Sequence, residues 1–219
     1  VPRPAPFRLL KASVFVACAL PSLLIASDAL RGRLGADPIA AALNRLGFWA
    51  LTFLLCSLLA TPLNAFLGWT APVRVRRMVG LFAFYYASLH FVTYFAIDQF
   101  FDLHAIVEDV VKRKFITIGF LAFLMLIPLA VTSTNGWVRR LGFVRWKRIH
   151  RMSYAAAVLG VIHFIWRVKA DLRQPLLFAA ALAVLLLARV LGGVLAVSRG
   201  GANPGTTRAE TPGGEILGS

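Results

Sequence analysis

Four histidines occur in the 219 residues, His90, His104, His150 and His163, and three of them fall within or beside long apolar stretches. An ionisable ring at membrane depth costs on the order of a few kcal/mol and is by default a functional group. The plainer alternative is a neutral imidazole bonded to a neighbouring helix, and a lone histidine would be read that way. Three on two co-oriented helices favour metal ligation instead. His104 stands beside Asp102 in an acidic connection and reads as a solvated loop residue.

Depth sharpens the argument. His90 lies 13 residues beyond Arg77 and His163 lies 13 beyond His150, which at helical rise is roughly 20 Å in from a common level. His90 and His163 are therefore level with each other, and two imidazoles on facing helices can fill both axial positions of a haem iron. Ala83 and Ala87 share the stripe of His90, and Ala156 and Gly160 that of His163. Such small residues leave room for a flat macrocycle, although close helix packing explains them almost as well.

His150 differs, because 13 residues rotate a side chain by about 220° and take it off the face of His163. Its level partner is Arg77, so a stack of two bis-histidine haems is not supported. With Arg77, Trp146 and Arg148, His150 can bind a quinone headgroup, a flavin phosphate or haem propionates, or ligate a second haem with an unusual partner. The residues alone do not rank these.

The elements that must position these groups are transmembrane helices. Fifty-nine per cent of residues are hydrophobic and mean hydropathy is +0.75, too apolar for a soluble domain of this length. A crossing helix needs roughly 20 apolar residues. Six stretches qualify, near Leu10–Leu30, Leu46–Leu67, Met78–Phe100, Phe115–Val131, Met152–Trp166 and Leu176–Val197. The fifth borrows Ile149 and His150 at its start. No alternating ten-residue pattern of a membrane barrel occurs, so the expected class is an all-α six-helix bundle over residues 1–199. Residues 200–219, rich in Gly and Pro, read as a disordered cytoplasmic tail.

The net charge of +15 sits in the connections and does not suggest nucleic acid. Arg3, Arg8 and Lys11 precede the first stretch, Arg74, Arg76 and Arg77 the third, and Arg139, Arg140, Arg145, Lys147, Arg148 and Arg151 the fifth. The positive-inside rule then puts both termini in the cytoplasm, with Arg31, Arg33 and Arg45 a mild counter-signal. The segment from Trp137 to His150 reads as a short interfacial helix with aromatic anchors. A secretory signal ending near Ser27-x-Ala29 is a weaker reading of the first stretch. Val1 in place of Met points to a non-AUG start or a missing beginning. Cys18 and Cys56 lie in separate spans without a C-x-x-C, which excludes a cluster held by several thiolates. No G-x-G-x-x-G or phosphate loop is present, so if the chain moves electrons another molecule must deliver them.

Several motifs together resemble a known family. Arg76-Arg77-x-x-Gly80-Leu81, Leu89-His90 with Tyr94, Thr132-Ser133-Thr134, Trp146-x-x-x-His150-x-x-x-Tyr154 and Ile162-His163 are similar to the MsrQ (YedZ) family, as is Leu34-Gly35-Ala36-Asp37-Pro38. These are haem-binding membrane subunits related to the ferric-reductase transmembrane domain. The resemblance runs from about Leu34 to Arg189. It implies a b-type cytochrome, with haem-linked histidines mapping to His90, His150 and His163, and FMN also associated. It further implies electrons drawn from respiratory quinones and handed to MsrP, a periplasmic molybdopterin enzyme reducing methionine sulfoxide in oxidised proteins. The chain would then be a non-catalytic electron-transfer subunit. Within the same chemistry a ferric reductase or a cytochrome b561-like quinone oxidoreductase is the alternative. Outside it stands a transporter or assembly factor, against which the lack of internal repeats and interrupted helices counts.

Overall fold

The structure, a computed structural model, describes residues 5–168 and 170–200, with side chains described over 7–168 and 170–193. The expected tail from 201 onward lies outside the described residues. Eight helices follow one another: α1 (Ala5–Leu30), α2 (Pro38–Leu67), α3 (Ala71–Val92), α4 (Leu103–Lys112), α5 (Lys114–Val131), α6 (Asn135–His150), α7 (Met152–Arg167) and α8 (Arg173–Gly200). α3 continues through a π-helical turn, Thr93–Asp98. Among the described residues there is no strand.

Among the described residues five segments are long and apolar enough to cross a bilayer: Phe7–Leu30, Pro38–Leu67, Ala71–Asp98, Lys114–Val131 and Arg173–Gly193. The sixth expected span corresponds to α7, whose 16 residues rise only about 24 Å. Large apolar side chains such as Phe15, Leu23, Leu187 and Val190 stand exposed on α1 and α8, as lipid-facing surfaces of a multi-pass membrane protein do.

Local chemistry fixes the boundaries. α2 starts a full two turns before the apolar run, because Asp37 accepts from the Ala40 amide at 2.9 Å and Pro38 supplies a ready-made first turn. It stops at Gly68, whose φ of 64° is left-handed. α2 is also the centre of the bundle, packing along α3 and against α1, α7 and α8. Leu51, Phe53, Leu54, Leu55 and Leu58 are buried there. α5 pairs with α7. Tyr86 of α3 is fully buried against α1, donating to the Cys18 carbonyl at 2.8 Å and accepting from the Ser22 amide at 2.8 Å. Those two backbone groups flank Pro21 and would otherwise bond each other.

Two connections differ from the sequence reading. The acidic segment between Asp98 and Lys114 is not a loop but carries α4, started by Asp102 accepting from the Ala105 amide at 3.0 Å and braced by a Glu108–Lys112 ion pair. Ile106 and Val110 turn inward, while Leu103, Val107 and Val111 are exposed, so the helix lies along the bundle's end. His104 is exposed on α4, not in a loop. α6 covers the segment expected to be a short helix but is broken at Gly142 (φ 73°, ψ 153°), a conformation that favours glycine.

Charge is distributed unequally between the two ends. Among the described residues every carboxylate (Asp28, Asp37, Asp98, Asp102, Glu108, Asp109, Asp171) lies where α1 ends, α2 begins, α3 ends and α7 meets α8. This is the mixed-charge end. The opposite, basic end holds Arg74, Arg76 and Arg77 together with α6. Arg45, the counter-signal, is paired with Asp28 at 2.6 Å.

Candidate functional site

His90 on α3 and His163 on α7 meet at the level the helical rise requires, with ring centroids 6.1 Å apart and planes at 86°. Each ring is held the same way by a different helix. His90 Nδ1 donates to the Leu43 carbonyl of α2 at 2.9 Å, and His163 Nδ1 donates to the Phe115 carbonyl of α5 at 2.7 Å. A carbonyl can only accept, so both rings carry their proton on Nδ1 and present Nε2 as a lone-pair donor.

Four residues beyond each carbonyl stands a glycine. A Cβ on Gly119 would lie 2.5 Å from His163 Nδ1, and one on Gly47 3.3 Å from His90 Nδ1. The helices α2 and α5 thus each offer a carbonyl and a bare backbone patch against which an imidazole rests. These glycines are the residues sequence reasoning missed.

The pair opens onto a cavity of about 600 Å³ between α2, α3, α4, α5 and α7. Its depth is apolar, lined by Leu51, Leu54, Phe123 and Leu126. Toward the mixed-charge end it is lined by Tyr94, Asp98, Arg113 and Arg167. Ala87, Ala156 and Gly160 line it as the small-residue stripes suggest. Ala83 does not; it is sealed in the core with no exposed surface. α4 roofs the cavity and is tied down through Asp109, which accepts from the Tyr94 hydroxyl at 3.2 Å and pairs with Arg113 Nε at 3.2 Å.

A flat macrocycle with one central metal fits this arrangement. Two imidazoles binding a single ion at about 2 Å each place their centroids roughly 6 Å apart. Among the described residues no group of three or more His, Cys, Asp or Glu side chains could hold a metal ion unaided, so the remaining ligands would have to come with the cofactor.

At the basic end, His150 stacks on Trp146 with centroids 4.0 Å apart. Thr132 holds both: its carbonyl accepts from Trp146 Nε1 at 3.0 Å. Its hydroxyl donates to the Pro128 carbonyl at 2.6 Å and so accepts from His150 Nε2 at 3.2 Å. Burial, then the Arg76 and Arg77 guanidiniums, push this imidazole down to about 4. It is neutral at physiological pH. Beside it a hollow of about 400 Å³ is lined by Arg77, Asn135, Arg139, Phe143 and Trp146, and Arg77 donates to Asn135 Oδ1 at 2.8 Å. Arg148, expected in this group, is exposed and does not line the hollow. Two residues past Trp146, it points about 200° away around the helix.

The chain matches the family described as ferric reductase like transmembrane component over residues 46–161, a segment containing His90 and His150 and ending two residues before His163. It is 54% identical over 85% of its length to the protein-methionine-sulfoxide reductase heme-binding subunit MsrQ of Rhodospirillum rubrum, covering 90% of that protein. To the MsrQ of Herminiimonas arsenicoxydans it is 46% identical, over 96% of this chain and 97% of the relative. To that of Deinococcus radiodurans it is 47% identical, over 86% and 93%. With likeness of this extent running through the helices that carry His90 and His163, the chain belongs to the MsrQ family and, with it, to the ferric-reductase-like transmembrane components.

Proposed function

We propose that this chain is the membrane cytochrome subunit of a two-component methionine-sulfoxide reductase. It holds b-type haem between His90 and His163, receives electrons from respiratory quinones at the basic end, and delivers them at the mixed-charge end to a periplasmic molybdopterin enzyme, MsrP. The observation that carries this reading is the imidazole pair at 6.1 Å, both Nδ1 atoms committed to backbone carbonyls and both rings facing a cavity large enough for a macrocycle. The relatives' names, heme-binding subunits of a protein-methionine-sulfoxide reductase, support the cofactor and the system. Bound haem supplies a one-electron iron couple at that position. The protein's part is to fix two neutral ligands and to exclude water with α4 and the apolar cavity wall.

The uneven charge supports a bacterial inner-membrane topology with both termini cytoplasmic, the basic end inside. α7, short as it is, completes a sixth crossing in the shelter of α5 and α2, where it need not meet lipid on every side. The hollow at Arg77, Arg139, Phe143 and Trp146, next to His150, has the cations and aromatic faces suited to a quinone headgroup or to FMN, the family's further cofactor. Arg148 is left outside it, and His150 is an intermediate station or a quinone contact rather than an axial partner of the deep pair.

The decisive experiment is the optical spectrum of the purified chain. A reducible Soret band with low-spin features is expected, and a colourless protein would return the transporter or assembly-factor reading. Reporter fusions in α4 and after Ser219 should report opposite sides of the membrane; the same side for both would overturn the topology.

A further inference from the structure

The cavity beside the histidine pair is chemically lopsided. From the two imidazoles into the bundle its wall is hydrocarbon, whereas toward the mixed-charge end it meets Tyr94, Asp98, Arg113 and Arg167. These polar groups are not equally occupied. Asp109 joins the Tyr94 hydroxyl and Arg113, and Asp98 accepts from Gln99 Nε2 at 2.9 Å. Arg167 has no carboxylate or carbonyl partner among the described residues. It is half-buried, sits one helical turn beyond His163 on the same face of α7, and lies within electrostatic reach of both imidazoles.

A guanidinium held in a low-dielectric cavity without a counterion is costly, and planar carboxylates are the groups its donor fork fits best. Haem has the matching asymmetry, two propionates on one edge and methyl and vinyl groups on the other. Resting on the reading that His90 and His163 hold haem, we infer that Arg167 is the propionate anchor that sets the macrocycle's orientation. The acidic edge faces the mixed-charge end beneath α4, and the hydrocarbon edge lies among Leu54, Phe123 and Leu126. The cofactor's carboxylates complete a charge pair that the protein leaves half-made. The edge nearest the electron acceptor's side is thereby the one carrying the propionates.

The test uses the full chain made in haem-deficient cells, its membranes supplied either with protohaem or with protohaem dimethyl ester, whose propionates carry no charge. Wild-type membranes should retain protohaem over the ester by about tenfold, the loss of one charge-assisted contact. Arg167→Gln should retain both at the ester's level, with low-spin bands unchanged, and Arg167→Lys should recover part of the preference. Equal retention of the two by wild type would overturn the inference without needing any variant to fold, as would an undiminished preference in Arg167→Gln. Retention of neither by wild type is a different failure, that of the haem reading itself.

Discussion

The region of His90 and His163 and the region of His150 are built on opposite principles. His90 and His163 are held by backbone: a carbonyl and a glycine from each of two other helices, deep in an apolar cavity. His150 is held by side chains, Trp146 and Thr132, near a surface hollow rimmed with arginine. Backbone rests cannot change rotamer, so the first region keeps its two imidazoles aimed whether or not a cofactor is present. Side-chain rests can shift, so the second suits a molecule that arrives and leaves. One region is organised for permanence and the other for exchange.

The largest effect that can break this contrast is loss of either deep imidazole. His90→Ala and His163→Ala should each abolish the low-spin haem spectrum, because one imidazole cannot provide two axial bonds. If either variant keeps full haem content with unaltered bands, the deep region is not the permanent site. Next comes Gly119→Ala. Its methyl would overlap the His163 ring at 2.5 Å, and overpacking of this kind costs about 1–3 kcal/mol. A lowered unfolding midpoint and a perturbed Soret band are expected. Gly47→Ala, at 3.3 Å from His90, asks its neighbour for only a few tenths of an ångström. Its destabilisation should stay near ~1 kcal/mol, so an inversion of the two glycine effects would discredit the cradle.

The shallow region predicts a change of rate rather than of content. His150→Ala should leave the deep haem spectrum intact while slowing its reduction by a quinol analogue roughly tenfold, the equivalent of one lost contact. Stopped-flow measurement decides this, and an unimpaired rate removes His150 from the route. His104→Ala should do nothing to either observable. Any spectral change there would mean that α4 does more than roof the cavity.

Where the sequence could be read and where it could not follows from how each contact is encoded. The level of His90 and His163 was legible because rise per residue and the flanking arginines are properties of single helices. The cradle was not. It pairs His90 with Leu43 and Gly47, and His163 with Phe115 and Gly119, across more than forty residues, and glycine in an apolar helix carries no mark of what lies against it. α4 was invisible for another reason: ten residues with apolar side chains split between two flanks look like a charged connection until Asp102 caps them. The start of α2 was missed because hydropathy, not Asp37 and Pro38, set the expected boundary. Arg148 was grouped with Trp146 by proximity along the chain, where helical rotation separates them. Ala83 shared a stripe with Ala87 but not its surroundings.

The Tyr86 hydroxyl has a consequence for biogenesis. Between Ser22 N and Cys18 O it occupies a place where α1 would ordinarily close a rung of its own. During synthesis α1 enters the bilayer before α3 has been made, and a backbone amide and carbonyl left open in lipid are costly. At that stage the rung must be shut. The arrival of α3 then brings one hydroxyl to both groups and adds two hydrogen bonds across the interface. The tie between the first and third spans is thus made only once the third is in place, and a single hydroxyl makes it.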